Sequence, residues 1–246
     1  MFDLTTDGRV ARLTLNRPAA RNAIPQAGWA ALTARLGEIG AARVLILDAA
    51  GSAFCAGADL TDLARLAGDA GAAGRFRATM GAATAAIRAL PIPVIAAIDG
   101  GCFGAGVALA MACDIRIAGR GAGFAIPPAR LGITYPFGDV ARLVALVGPG
   151  QAARLLHGGG TIDADEAARI GLVEQAVEHA GEAAAALAQA IAANAPASVA
   201  ALKGMIARAG EAGDAVTDAL FDDSFAGPAF AEGIAAMQGR RRPDFA

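Results

Sequence analysis

Histidine, serine and cysteine are scarce in this chain, and each scarcity removes a class of chemistry. His157 and His179 are the only histidines, with no H-E-x-x-H and no Cys/His cluster, so no protein-held metal is expected. Serine occurs only at 52, 198 and 224, never within G-x-S-x-G, which leaves serine-hydrolase chemistry without its nucleophile turn. Cys55, Cys102 and Cys113 are odd in number and lack C-x-x-C spacing, a pattern of reduced buried thiols rather than disulfides or zinc. A basic excess is missing too. The formal net charge of −2 offers no face for nucleic acid, and Arg240-Arg241-Arg242 reads as a solvated tail cluster. Long apolar runs without interruption are also absent: Val94–Cys113 could span a bilayer by length, but it carries Asp99 and four glycines. Met1-Phe2-Asp3-Leu4 opens neither a signal nor a transit peptide. The expectation is a soluble cytoplasmic protein with no membrane or nucleic-acid partner.

What is present is apolar and helix-forming. Of 246 residues, 55% are hydrophobic and 18% charged, which excludes disorder, and much of the apolar content is alanine. One large α/β domain, or a domain with a helical extension, fits that length. Val10–Leu15 alternates as a strand and Asn16-Arg17-Pro18 ends it. Trp29, Leu32 and Leu36 share one face of a helix from Pro25 to about Gly37, and Val44–Asp48 reads as a buried strand. Gly68–Gly74 has weak propensity for any element and reads as a mobile segment, a lid or plain slack, before a helix over Phe76–Leu90. After Pro127-Pro128 the periodicity turns helical, with segments at Val140–Leu146, Gln151–Leu156, Ala164–Ile170, Glu182–Asn194, Ala197–Ala209, Ala215–Phe225 and Ala229–Gln238, interrupted by a short strand at Leu172–Val177.

The stretch Ile95–Asp114 organises the rest. A buried strand (Pro93–Ile98) breaks at Gly100-Gly101, and a helical run resumes after Gly104 through Met111. Small residues at the break let the backbone approach a ligand, and the first helical turn aims unsatisfied N–H groups at it, favouring an anion or a developing oxyanion. The spacing matches neither G-x-G-x-x-G nor a P-loop, since Val107-Ala108 stand where Lys and Ser/Thr would be needed. The alternative, glycines that merely let a helix pack on a sheet, loses ground to a second stretch of the same kind. A second small-residue loop, Gly51–Leu60, also leads into a helix and offers amides to the same kind of ligand.

Three motifs in order carry a resemblance. Leu15-Asn16-Arg17-Pro18 with Arg21-Asn22-Ala23, then Phe54-Cys55-Ala56-Gly57-Ala58-Asp59-Leu60, then Asp99–Asp114, together with Asp163–Ala167 and Gly171-Leu172-Val173, resemble the enoyl-CoA hydratase/isomerase, or crotonase, superfamily over nearly the whole chain. The resemblance implies an α/β fold, a crotonase-like spiral of β–β–α turns over residues 1–190, with a C-terminal helical region, 191–246, that trimerises, often into hexamers as a dimer of trimers. It implies an acyl-CoA thioester as ligand and no cofactor beyond the coenzyme A of the substrate. By position it puts the two amides that polarise the thioester carbonyl at Ala58 and Ala105. Coenzyme A would lie against Arg21, Ala23, Ala56, Gly57, Ala58, Asp59 and Leu60, with Gly104 and Ala105 across from them, and with Arg21 or Lys203 near phosphates. The terminal helices would cover a neighbour's acyl pocket and bring Arg240–Arg242 towards a coenzyme A phosphate.

The departures bear on mechanism. A hydratase of this family works with two glutamates about one water, and here Ala108 and Pro128 occupy those positions. Asp139, Tyr135 and Asp62 are the remaining candidates. Asp139 reads as either a catalytic carboxylate or the N-cap of the helix at Val140, while Asp59 and Asp62 fit a cap and first-turn charge for the helix after Leu60. Tyr135 can donate a hydrogen bond but is a poor base at neutral pH. Cys102 reads as a small core residue. The functional expectation is an acyl-CoA-binding, hydratase/isomerase-like enzyme. Its alternatives are another crotonase reaction, such as isomerisation, decarboxylation or thioester hydrolysis, or a non-catalytic acyl-CoA carrier or sensor.

Overall fold

A two-residue turn at Gly8-Arg9 closes a hairpin between β1 (Phe2–Asp7) and β2 (Val10–Leu15), with Phe2 opposite Leu15 and Asp7 opposite Val10. β1 escapes the sequence reading because its outer half is polar and exposed, as an edge strand permits. The structure is a computed structural model and describes residues 1–245. From β2 the chain passes a short 3-10 turn at Pro18–Ala20 to α1 (Gln26–Leu36) and then enters a repeating pattern. β3 (Val44–Ala49) is followed by β4 (Ala53–Cys55), α2 (Leu60–Ala64) and α3 (Ala70–Ala89). β5 (Val94–Ile98) is followed by β6 (Gly101–Phe103) and α4 (Ala105–Ala112). β7 (Ile115–Gly119) is followed by β8 (Gly123–Ala125) and α5 (Phe137–Gly158). In each turn the first strand joins a six-stranded sheet of order β1-β2-β3-β5-β7-β10, with β10 at Gln175–Val177, and the second joins a four-stranded sheet of order β4-β6-β8-β9, with β9 at Ile162–Asp163. The result is a spiral of β–β–α turns, finished by β9 (Ile162–Asp163), α6 (Ala164–Arg169) and β10 (Gln175–Val177).

Pairing from β2 through β10 in the large sheet is parallel, with Leu45 against Val94 and Ile95 against Ile115. Parallel sheets are covered on both faces, and the strand pattern shows it. Leu13, Leu15, Leu45, Leu47, Val94, Ala96 and Ile98 face the main core, whereas Val10, Val44, Ile46, Ile95 and Ala97 face α7 (Ala180–Ala192). That helix presents Ala180, Ala184, Ala188 and Ala192, one every four residues and all buried. Their small side chains let the helix lie close on the sheet, which gives the alanine-rich stretch its role. The expected boundary between 190 and 191 falls in the last turn of this helix, whose alanines belong to the core. Each fully buried aliphatic side chain is worth about 1.5–3 kcal/mol relative to exposure, so β3, apolar on both faces, anchors the sheet.

Two readings change. Gly68–Gly74 is not a slack segment throughout: Ala70–Gly74 form the first turns of α3, where the Asp69 side chain accepts a hydrogen bond from the Ala72 amide at 2.8 Å. That cap compensates for the weak propensity of the glycines. The helices expected at 140–146 and 151–156 are joined into α5, with a kink at Gly148 (φ 75°) and Pro149 inside it. α8 (Pro196–Ala207), α9 (Ala215–Ser224) and α10 (Pro228–Gln238) complete the helical C-terminal third. Among the described residues no single helix is long and apolar enough to cross a membrane.

Candidate active site

The loops that leave the carboxyl ends of β2, β4 and β6 meet at one place. A clasp holds the first two together. Asn22, wholly buried and at φ 56°, accepts from the Arg17 amide at 2.8 Å and donates to the carbonyls of Ala50 and Ala53 at 2.8 and 2.7 Å. Asparagine tolerates this left-handed backbone better than most residues and satisfies three backbone groups at once. Arg17 Nη1 donates to the Ala23 carbonyl at 2.9 Å and to Asp59 at 2.7 Å. The Arg17 guanidinium, followed by the Thr61 amide, holds the Asp59 carboxyl below the usual carboxylate range. Asp59 is also the N-cap of α2, as its position suggested, and Asp62 sits in the first turn, where it accepts from the Gln26 amide at 2.7 Å. Neither Arg17 nor Asn22 stood out as a working residue in the sequence. Their partners lie up to 42 residues away, beyond any local spacing signal.

The Arg21–Ile24 segment then pairs with Ala56–Asp59. Ala56 donates to the Arg21 carbonyl at 2.9 Å, Ile24 to the Gly57 carbonyl at 2.8 Å and Asp59 to the Ile24 carbonyl at 3.0 Å. In such a parallel bridge the residue between Gly57 and Asp59 turns its own N–H to the other side. The Ala58 amide therefore points away from its neighbour strand and donates to no protein group among the described residues. On the facing loop, Gly104 donates to the Ala125 carbonyl at 2.8 Å and Ala105 is the first residue of α4. Its amide, one of the unpaired donors at a helix start, is likewise without a protein acceptor among the described residues.

Two glycines bring the loops into contact. A Cβ on Gly57 (φ 102°) would lie 2.8 Å from the Phe103 carbonyl oxygen and 3.4 Å from the Ala105 nitrogen, and one on Gly106 would lie 2.5 Å from the Cys55 carbonyl oxygen. Backbone rests on backbone here, with no room for a side chain. The far end of α4 is held by Arg142, which hydrogen-bonds the Met111 carbonyl.

Ionisable groups nearby are few. Burial pushes the Cys55 thiol up to about 12 and raises Cys102 as well, so both are inert at neutral pH. Ala108 is buried one turn into α4 and Pro128 opens a 3-10 turn, and neither carries a carboxylate. Tyr135 donates to the Gly104 carbonyl at 2.9 Å, and burial, followed by the charge of Asp139, pushes its hydroxyl well above the usual phenol range. Asp139 does not cap α5. The cap position belongs to Pro136, and Asp139 lies inside the first turn, half-buried, its carboxylate accepting no hydrogen bond among the described residues. Burial raises its pKa against the opposing pull of Arg88 and Arg142.

Of the proposed phosphate partners, Arg21 is exposed beside Ala56. Lys203 is committed elsewhere: its Nζ lies 2.8 Å from both the Ile92 carbonyl and Asp114, at the amino end of β5, opposite the end from which the loops depart. Arg241 pairs with Glu232 at 2.6 and 2.8 Å, which leaves the terminal cluster less free than its sequence suggests. Among the described residues no three His, Cys, Asp or Glu side chains converge as metal ligands would.

Comparison with known proteins gives a consistent result. The profile of the enoyl-CoA hydratase/isomerase family matches residues 5–246. The chain is 39% identical over 202 residues to a short-chain-enoyl-CoA hydratase of Clostridium acetobutylicum, spanning 80% of this chain and 77% of that protein. It is 41% identical over 180 residues to a crotonyl-CoA hydratase of Syntrophomonas wolfei, spanning 71% and 68%. A crystal structure of an enoyl-CoA hydratase/carnithine racemase from Magnetospirillum magneticum superposes with a TM-score of 0.95 at 34% identity, covering 100% of this chain and 95% of that one.

Proposed function

The chain belongs to the enoyl-CoA hydratase/isomerase family, and from that premise we propose that it binds an acyl-CoA thioester and stabilises negative charge on the thioester oxygen with the amides of Ala58 and Ala105. The observation that carries this reading is the pair of unpartnered N–H groups on two loops packed backbone to backbone. Donors fixed in place need no reorganisation when an enolate or tetrahedral oxyanion forms, and one such donor is worth about 2.7–4 kcal/mol in other enzymes. Arg21, Ala23 and Ala56–Leu60 line the route that the nucleotide handle takes in this reading.

Hydration is named for both curated relatives, but this chain lacks a carboxylate at 108 and 128. Asp139 favours a second reaction type. An unpartnered, half-buried carboxylate with a raised pKa, beside the tyrosine that touches Gly104, suits a single base acting at C2 of the acyl group, as an isomerisation would require. A carrier without turnover is the remaining reading, and a comparison of binding with turnover separates them. The purified protein should bind butyryl-CoA and not butyrate in calorimetry. Crotonyl-CoA hydration should fall short of a two-glutamate enzyme by a factor on the order of 10²–10⁴ for each missing group. Ala105→Pro should lose turnover or thioester affinity, because proline is accepted at the first helical position but replaces the N–H with a ring carbon. Brisk hydration would overturn the mechanism; equal affinity for butyrate would overturn the thioester reading.

A further inference from the structure

We propose that Tyr135 is a positioning residue for the thioester oxygen, because its hydroxyl grips the peptide group whose other end is the Ala105 N–H. The inference rests on Ala105 being an oxyanion donor. The carbonyl of Gly104 and the amide of Ala105 belong to one planar unit. That carbonyl accepts from Val107 at 2.9 Å, from Ala108 at 3.3 Å and from the Tyr135 hydroxyl at 2.9 Å. The first two are helix bonds, and among the described residues the third is the only side-chain contribution. It fixes the plane that follows Gly104 (φ 51°, ψ −118°), a backbone with no side chain of its own to hold it. A donor at the carbonyl also draws electron density from the peptide nitrogen and makes the opposite N–H a stronger donor.

The surroundings suit this role better than proton transfer. Tyr135 precedes Pro136, which keeps it extended, and its half-buried side chain packs against the main core, where burial raises the pKa of its hydroxyl. Its proton is already engaged with Gly104, and burial disfavours the phenolate, so it is neither a free acid nor a base.

Tyr135 is the only tyrosine in the chain, which allows an atom-level test on the full-length protein. The probe is butyryl-CoA carrying ¹³C at the thioester carbonyl, observed by NMR free and bound. In the wild type the carbonyl should move downfield on binding. Tyr135→Phe should keep most of the affinity but lose roughly 10–30% of that displacement, the share expected from one cooperating hydrogen bond. Biosynthetic replacement of tyrosine by 3-fluorotyrosine reaches this site alone, keeps the ring and strengthens the donor, so the carbonyl should move further downfield. If Tyr135→Phe fails to fold, the fluorinated protein decides. A wild-type displacement that neither change alters would overturn the role of Tyr135 alone. No displacement in the wild type would overturn the Ala105 donor, and the positioning role with it.

Discussion

Asp139 lies in the first turn of α5, where the helix dipole and two arginines favour its charge and burial opposes it. Its pKa is raised, so burial wins. The folded protein then holds this proton more tightly than the unfolded chain does. The stability so contributed is fully present below the ordinary value of 3.8 and is lost as pH rises through the folded value. Asp139→Asn removes the charge and should melt higher than wild type at pH 7, with the gap closing in melts taken below pH 3.8. If Asp139 is the base, the same substitution should lower turnover by about 10²–10⁴. Activity falling while melting temperature rises is the signature of a functional carboxylate; a lower melting temperature at pH 7 would show that the charge is structural after all.

α4 stands against β4 through Gly106, and the packing there can be tested by two glycine replacements of opposite sign. Gly→Ala within a helix gains about 1 kcal/mol from propensity alone. At Gly81, in the middle of α3, a Cβ meets nothing within 4 Å, so Gly81→Ala should realise most of that gain in a urea melt. At Gly106 the new methyl would sit 2.5 Å from the Cys55 carbonyl oxygen, a backbone atom that cannot swing aside. Overpacking costs about 1–3 kcal/mol, which exceeds the propensity gain. Gly106→Ala should therefore be destabilised and should weaken butyryl-CoA binding by shifting the start of α4. Unchanged affinity would mean that this helix start is not part of the ligand site.

Beyond the spiral, α8–α10 leave a large apolar surface in water. Ile206 is 74% exposed, Phe221 63% and Met237 78%, and Val216, Leu220, Phe225, Phe230 and Ile234 are exposed with them. Phe221, Phe225 and Phe230 form an edge-to-face chain with ring centres 5.2 and 5.0 Å apart, ordered yet uncovered. Contiguous patches of this kind are uncommon on soluble monomers. A self-associated state, the trimer implied by the family resemblance, is the expected occupant. Light scattering at micromolar concentration should report an oligomer, and a chain ending at Gly210 should aggregate or lose both assembly and ligand affinity. A full-length monomer that binds butyryl-CoA normally would refute the assembly argument.

How much of this the residues declare by themselves depends on the range of the interactions. β3, β5 and α4 follow from short unbroken apolar runs, and β2, α1 and the C-terminal helices from apolar residues at period two or 3.6, because both are local patterns. The two small-residue loops, and the want of carboxylates at Ala108 and Pro128, are equally legible, since they depend on composition at one spot. β4, β6 and β9 are two or three residues long and carry no period; their pairing, Ala53 with Gly101 and Gly123 with Asp163, exists only once the spiral brings distant turns together. The same holds for Asn22 and Arg17, whose partners lie across the fold, for Lys203, drawn to Asp114 rather than to a ligand, and for Asp139, displaced from the cap by Pro136. Sequence alone determined the spiral's longer elements and the chemical type of the loops, because apolar runs, periodicity and backbone freedom are local properties. Which amides stay unpaired, which carboxylate lacks a partner and which peptide Tyr135 grips were decided only by tertiary contacts, because a hydrogen bond left unmade is defined by everything around it.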